Sequence, residues 1–267
     1  MTGLSIAILG AGEMASGVAH RLFSSGFARI VMSEIPAPLA VRRLVAFSEA
    51  VYADAAEVEG VRAELARDPA GVRTIWDRRA IGVLVDEKAA FLKTLEPDAL
   101  IDATMIKRPK GSLKRLAPKA GLVIGVGPGF RAPDQVDAVI ESNRGHYLGR
   151  VIYTGEAESF TGVPGAVMGV TASRVLRAPH AGVVRPCRGI GDIVKKGDVL
   201  LYVDETPIEA AIDGVVRGMI RPMAVRDDEK LGDVDPSGDG GRCAAISDKA
   251  RAIAGGVLEA LMHRFNR

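Results

Sequence analysis

The residues with the clearest chemical potential lie near the start of the chain, in "LSIAILGAGEMASGVAHRLFSSGFARIVMSE" (4–34). Gly10, Gly12 and Ala15 form a Gly-x-Gly-x-x-Ala turn. The two glycines let the backbone turn tightly and approach a phosphate, and the small Ala15 lets a following helix pack close to a strand. Glu34 lies 22 residues after Gly12, where a βαβ nucleotide-binding unit places the carboxylate that accepts a ribose hydroxyl. The competing reading is a vestigial turn with a solvated Glu34. Glu13 would repel a pyrophosphate unless its side chain turned away. Glu34 disfavours a 2′-phosphate, so NAD(H) or an adenosine nucleotide fits better than NADP(H), unless Arg42 and Arg43 reverse that preference.

Further along, "ATMIKRPKGSLKRLAPK" follows Asp102 and carries six basic residues, Lys107, Arg108, Lys110, Lys114, Arg115 and Lys119. These suit a phosphate or other oxyanion, and read equally as a solvated basic face, most of all for Lys114, Arg115 and Lys119. A glycine loop, "GVGPGF", then places Gly127 and Gly129 beyond another short apolar run. Asp102, Lys107, Gly127 and Gly129 therefore join Gly10, Gly12, Ala15 and Glu34 as candidate cofactor-binding positions. His146 could act as an acid or base and reads equally as a structural histidine. No Ser–His–Asp or Cys–His pattern appears, so no catalytic residue is assigned. Cys187 and Cys243 lack the neighbours that a metal site needs, and no metal is expected.

The elements that would carry these positions alternate strand and helix. Leu4 to Leu9 reads as a buried parallel strand and Met14, Val18, Leu22 and Phe23 as one helical face closed by Gly26. Arg29 to Ser33, Ile81 to Val85, Ala99 to Ile101 and Leu122 to Ile124 read as further strands, with Lys88 to Leu95 a short helix. The alternation predicts an α/β class: a Rossmann-like, doubly wound, mostly parallel sheet with ligands beyond the carboxyl ends of its strands. "VDAVIESNRGHYLGRVIYTGEA" adds two extended pieces around a polar bend.

Composition removes several alternatives. The chain has 267 residues, 25% of them charged, with a formal net charge of +2 and 4% aromatics, which suggests neither nucleic acid nor an anionic membrane as a partner. No apolar run approaches the ~20 residues of a membrane span, and no signal peptide is read at the N-terminus. The expectation is a soluble, cytoplasmic protein.

The second half is built differently. "TGVPGAVMGVTAS" reads as a linker. Beyond it "AGVVR" (181–185) recurs as "DGVVR" (213–217), and "KKGDV" (195–199) as "KLGDV" (230–234). Short repeated strands punctuated by Gly-Asp predict a small barrel with internal two-fold symmetry. "RAPHAGVV" with "IGDIVKKGDVLLYVDETPIEAAIDGVV" resembles the biotinyl/lipoyl carrier fold, a barrel-sandwich. That resemblance implies an acceptor lysine at the hairpin tip near 204–210, yet no lysine occurs between Lys196 and Lys230, so covalent carriage is not expected. Ser247 caps a last helix whose Ala250, Ile253, Ala254, Val257, Leu258 and Leu261 form an apolar stripe. That stripe packs back on the body or forms a homo-oligomer interface. The expected domains are 1–155, 173–236 and 243–267.

Taken together, "GAGEMASGVAHRLFSSGF", "AVRRLVAFSEAVY", "GVGPGF", "VIESNRGHYLGRVI", "RVLRAP" and "ISDKARAIAGGVLEA" resemble the selenium-dependent molybdenum hydroxylase accessory proteins. The resemblance implies a cytoplasmic maturation factor that holds a nucleotide or nucleotide-bearing cofactor and docks a client molybdoenzyme or another accessory protein. It supplies no catalytic residues. The alternative is an NAD(P)-dependent oxidoreductase acting on a small anionic substrate, with Lys107 or His146 as proton donor. A purely structural interaction module is the third reading.

Overall fold

The computed structural model describes residues 3–106, 111–160, 162 and 168–266. Two compact units emerge, one of residues 1–38, 46–160 and 246–267, the other of 39–45 and 161–245.

The first unit begins with β1 (Ser5–Leu9), α1 (Glu13–Ser24) and β2 (Arg29–Glu34). Ile6, Ala7 and Ile8 are fully buried, which is why β1 needs no polar alternation. α1 ends as glycine dictates: Gly26 has φ +93°, and the Phe27 N–H donates back to Leu22 O. There follow α2 (Ala50–Ala53), β3 (Ala55–Val58), β4 (Val61–Ala66), α3 (Pro69–Asp77) and β5 (Ile81–Val85). Asp68 caps α3 by accepting from Gly71 N at 2.7 Å, with Pro69 at its first position. Next come α4 (Leu92–Leu95), β6 (Ala99–Asp102), α5 (Leu113–Leu116), β7 (Leu122–Val126), β8 (Arg131–Ala132), β9 (Ala138–Ile140), β10 (Val151–Ile152) and β11 (Gly155–Glu156).

Nine of these strands form one sheet in the order β10-β9-β7-β6-β1-β2-β5-β4-β3. β4, β5, β2, β1, β6, β7 and β9 run parallel, while β3 and β10 add antiparallel edges. This corrects the Rossmann-like doubly wound expectation. The sheet is mixed. α2, α4 and α5 have four residues each, and β7 reaches β9 without a helix. The expected strands are present and the β3–β4 hairpin is added to them, but most crossovers are too short to build two full helical layers.

The chain's last helix, α6 (Asp248–Phe265), belongs to this unit. Ser247 Oγ accepts from Ala250 N at its start, and Ala250, Ile253, Ala254, Val257 and Leu261 are buried. It lies directly on α1. A Cβ on Gly17 would sit 2.8 Å from the Ala250 Cβ, and one on Gly256 would collide with Gly149 O. Glu59, at the β3–β4 turn, accepts from Ile246 N at 2.8 Å and pairs with Arg251. No helix among the described residues is long and apolar enough to cross a membrane.

The second unit holds β12 (Val175–Arg177), β13 (Gly182–Pro186), β14 (Ile193–Val194), β15 (Val199–Val203), β16 (Thr206–Glu209), β17 (Gly214–Met219), β18 (Ala224–Val225) and β19 (Lys230–Asp235). They form two antiparallel sheets, β16-β15-β13-β18 and β12-β19-β17-β14. The first repeated string makes β13 equivalent to β17, and the strand order makes β15 equivalent to β19, although 195–199 lies mostly in the β14–β15 turn and 230–234 within β19. Each half sends its short strand into the other half's sheet, β14 to β17 and β18 to β13. The single barrel expected from the carrier resemblance is thereby corrected to two sheets that exchange strands. Leu176, Val184, Leu200, Leu201, Val216 and Leu231 centre the core between them. Residues 39–45 join this unit through Arg42, which donates to Arg242 O and Ala245 O, and Arg43, which donates to Met219 O.

Candidate functional site

The parallel strands of the first unit all end on one edge, and there a crevice of about 500 Å³ opens. It is lined by Gly10 from the end of β1, Glu34 and Ile35 from β2, Asp86 to Ala89 after β5, and Asp102, Thr104 and Ile106 after β6. Ser112 to Leu116 (without Lys114) and Phe130 close it. Ligand crevices in parallel sheets lie at such carboxyl ends because successive loops diverge there.

Three carboxylates in this crevice are held in place by backbone N–H groups. Glu34 Oε2 accepts from Ala11 N at 2.8 Å and Oε1 from Ile35 N at 2.9 Å. Asp86 Oδ2 accepts from Phe91 N at 2.8 Å. Asp102 Oδ1 accepts from Thr104 N at 3.0 Å and Thr104 Oγ1 at 2.6 Å. The bonds leave Asp86 Oδ1 and Asp102 Oδ2 as further acceptors, with the side chains already oriented. With Glu87 added, four acids face the crevice against Lys88 and Arg115.

The glycines of the turn serve different ends. Gly10 has φ +90°, and a Cβ there would press on Thr104 at 3.2 Å, so the fold itself requires it. Gly12 has an ordinary φ of −71°, and a Cβ there would meet nothing within 4 Å. Neither conformation nor packing accounts for a glycine at 12. It caps α1 without a side-chain hydrogen bond of its own. Ala15 is fully buried under the turn. Ser16 Oγ donates to Ala11 O at 2.9 Å and accepts from Phe47 N at 2.8 Å, pinning the turn from below.

A second group of residues gathers around the loop after β9, within the field of Glu13 at the start of α1. Gly127 has φ +83°, and a Cβ on it would lie 2.7 Å from Ser142 Oγ. Ser142 and Glu141 follow β9 and are buried. Glu141 accepts from Asn143 N and Glu158 N. Arg144 makes a two-pronged pair with Asp248 at 2.6 and 2.9 Å. Beside it, at the start of α6, Lys249 makes no hydrogen bond or ion pair among the described residues. Burial and the Arg144 guanidinium hold its amine below the usual lysine range, against the opposing pull of Glu13, Glu141 and Asp248. The Glu13 charge thus lies close to two cations, which offsets its expected repulsion of an anion.

Of the expected site residues, Gly10, Glu34 and Asp102 line the crevice and Gly12 lies beside it. Gly127 and Gly129, the latter at φ +101°, form the loop after β7, and Gly127 leads to Ser142 rather than to the crevice. Lys107, with Arg108 and Lys110, lies outside the described residues. Arg115 lines the crevice, but Lys114 bonds Asp137 and Pro133 O, and Lys119 bonds Glu96. The Arg42 and Arg43 guanidiniums serve backbone carbonyls of the second unit. His146 is exposed and packs edge-on to Tyr147. Cys187 and Cys243 are free thiols, and burial pushes the Cys243 thiol up. No group of three or more His, Cys, Asp or Glu among the described residues is placed to hold a metal.

Sequence reasoning missed Lys249, Ser142 and Asp86. Nothing in the local pattern of α6 singles out Lys249, and only the packing of α6 on α1 brings it into the field of Glu13.

No protein-family profile matches the chain. It is 46% identical over 258 residues to the uncharacterized protein YqeB of Escherichia coli K12, a match covering 96% of this chain and 47% of that protein. The chain therefore spans about half the length of the curated relative it matches. Among solved structures it aligns with an aspartoacylase family protein from Mesorhizobium loti at 14% identity and a TM-score of 0.27, covering 87% of this chain and 85% of that one. A succinylglutamate desuccinylase/aspartoacylase from Rhodobacter sphaeroides aligns at 15% identity and 0.27, covering 87% and 85%. The apo ectoine utilization protein EutE from Ruegeria pomeroyi aligns at 11% identity and 0.25, covering 86% and 85%. These scores fall short of a shared fold, and no hydrolase activity passes from those proteins to this chain. The comparisons do correct the identity drawn from sequence: none names a molybdenum hydroxylase accessory protein or an NAD(P)-dependent oxidoreductase. The maturation role, its client molybdoenzyme and the oxidoreductase alternative are withdrawn with that resemblance.

Proposed function

We propose that the first unit binds a small molecule carrying both sugar hydroxyls and an anionic group, of which a nucleotide is the fitting example. One observation carries the reading: at the carboxyl ends of parallel strands, Glu34, Asp86 and Asp102 are fixed by backbone N–H groups with acceptor capacity turned to a 500 Å³ crevice. Such carboxylates take neighbouring hydroxyls and repel phosphate. The anionic group belongs instead over Gly12, where the start of α1 favours negative charge and the Lys249 amine shares the field of the neighbouring Glu13. The reading covers binding alone and assigns no reaction. The exposed free thiol of Cys187 suits a reducing compartment, and we place the protein in the cytoplasm.

Calorimetric titration with adenosine and with adenosine nucleotides tests this. Glu34→Gln weakens nucleoside and nucleotide alike, whereas Lys249→Met weakens the nucleotide and spares the nucleoside. Binding at 100 times Kd stabilises the first unit by about 2.7 kcal/mol. If no nucleoside or nucleotide raises its unfolding midpoint, the reading fails.

A further inference from the structure

In the second unit, outside the candidate site of the first, a hydroxyl and an imidazole meet at the turn between β15 and β16. His180, in the loop before β13, has Nε2 3.0 Å from Thr206 Oγ1, the first residue of β16. Its Nδ1 lies 3.0 Å from Ala181 O. A carbonyl oxygen only accepts, so the Ala181 contact selects the tautomer with its proton on Nδ1. In that tautomer Nε2 turns a lone pair toward Thr206, whose hydroxyl donates to it. A hydroxyl bonded to a base, with the base oriented by a third group, is the arrangement that activates an alcohol as a nucleophile.

The turn holding the pair is rigid. Asp204 has φ +50° and its Oδ1 accepts from Val183 N at 2.9 Å, while Arg185 donates to Asp204 O at 2.9 Å. Asp204 Oδ2 fills the place a Cβ on Gly182 would take, so the glycine there lets the turn close on β13. Thr206 pairs with Val203 across the hairpin, which fixes its backbone. Both Thr206 and His180 are half-buried, leaving the hydroxyl within reach of a small reagent.

We propose that Thr206 is an acyl-acceptor site, with His180 as its base and an activated ester or thioester as the donor. The Thr206 oxygen bonds to the acyl carbon as its proton passes to His180 Nε2. The carbon–oxygen or carbon–sulfur bond to the leaving group then breaks, and the alcohol or thiol departs with that proton. An ester remains on Thr206, and nothing is oxidised or reduced.

The test incubates the full-length protein with 4-nitrophenyl acetate and locates the acetyl group by peptide mass spectrometry. The expected result is one acetyl group per chain on Thr206, retained in Thr206→Ser, absent in Thr206→Val, and formed at least 10²-fold more slowly in His180→Gln. Unchanged thermal midpoints confirm that the variants are folded. Acetyl groups confined to lysines, or Thr206 acetylated in His180→Gln as fast as in the wild type, would overturn the proposal.

Discussion

Replacing Ser16 by alanine tests how the glycine turn is held. Ser16 is completely buried. Its hydroxyl donates to Ala11 O, and that carbonyl keeps a second donor, Ser48 N at 2.8 Å. The same hydroxyl is the acceptor for Phe47 N, which belongs to a fully buried residue. Ser16→Ala therefore leaves one carbonyl with a partner and one buried N–H with none. An orphaned buried donor costs about 1–3 kcal/mol, so the loss should be about 2 kcal/mol. At 1.36 kcal/mol per tenfold, that is roughly a 30-fold faster amide exchange at Phe47. On the scale of a domain this size, it lowers the unfolding midpoint by about 4–8 °C. Ser48→Ala is the matched control, because Ser48 Oγ is buried without a partner among the described residues. Removing it should cost nothing or stabilise slightly. Urea titration with hydrogen exchange read at Phe47 measures both. A Ser16→Ala loss below about 0.5 kcal/mol, or a Ser48→Ala loss matching that of Ser16→Ala, refutes the reasoning.

Other perturbations address the remaining contacts. Gly256→Ala drives a methyl group into Gly149 O, and this overpacking should cost about 1–3 kcal/mol in the first unit, read by denaturant titration. Arg174→Met strands Asp233, which it meets at 2.8 Å in the buried core of the second unit; a loss of about 3–5 kcal/mol is expected there, and a neutral result would mean that Lys230 alone compensates. Burial raises the Glu59 carboxyl, but the Ile246 N–H and Arg251 outweigh it and hold it below its ordinary 4.5. A depressed carboxylate stabilises the folded state above 4.5 and loses that contribution as pH falls below it. The acid limb of an unfolding curve should accordingly be shallower in Glu59→Gln, and an identical limb would contradict the assignment.

Legibility from sequence followed locality. β1, the glycine turn, α1 and β2 could be read because each is announced within its own residues, by an apolar run, a glycine or an acidic end. The β3–β4 hairpin was not, because Glu57, Arg62 and Glu64 interrupt its apolar positions and its turn rests on Glu59 at φ +45°. Glu34 and Asp102 could be placed at strand ends, whereas Asp86 entered the site through the β2–β5 pairing, which no local pattern encodes. Lys249 depends on α6 returning across the whole chain to α1. In the second half the repeat was visible as duplicated strings. Duplication states which strands are equivalent and leaves open which strands pair. The family assignment failed for a different reason: shared strings along a chain carry a name, while an activity needs side chains brought together.

The strand exchange in the second unit makes its two halves interdependent. A single copy of the repeat could not complete either sheet, since its short strand finds a ladder only in the other copy. Two separate copies of one half, related by a two-fold axis, would offer each other the same ladders. The unit thus has on one chain the strand pairing of a symmetric pair. The halves also meet through side chains, since His180 precedes β13 of one copy and Thr206 opens β16 of the other.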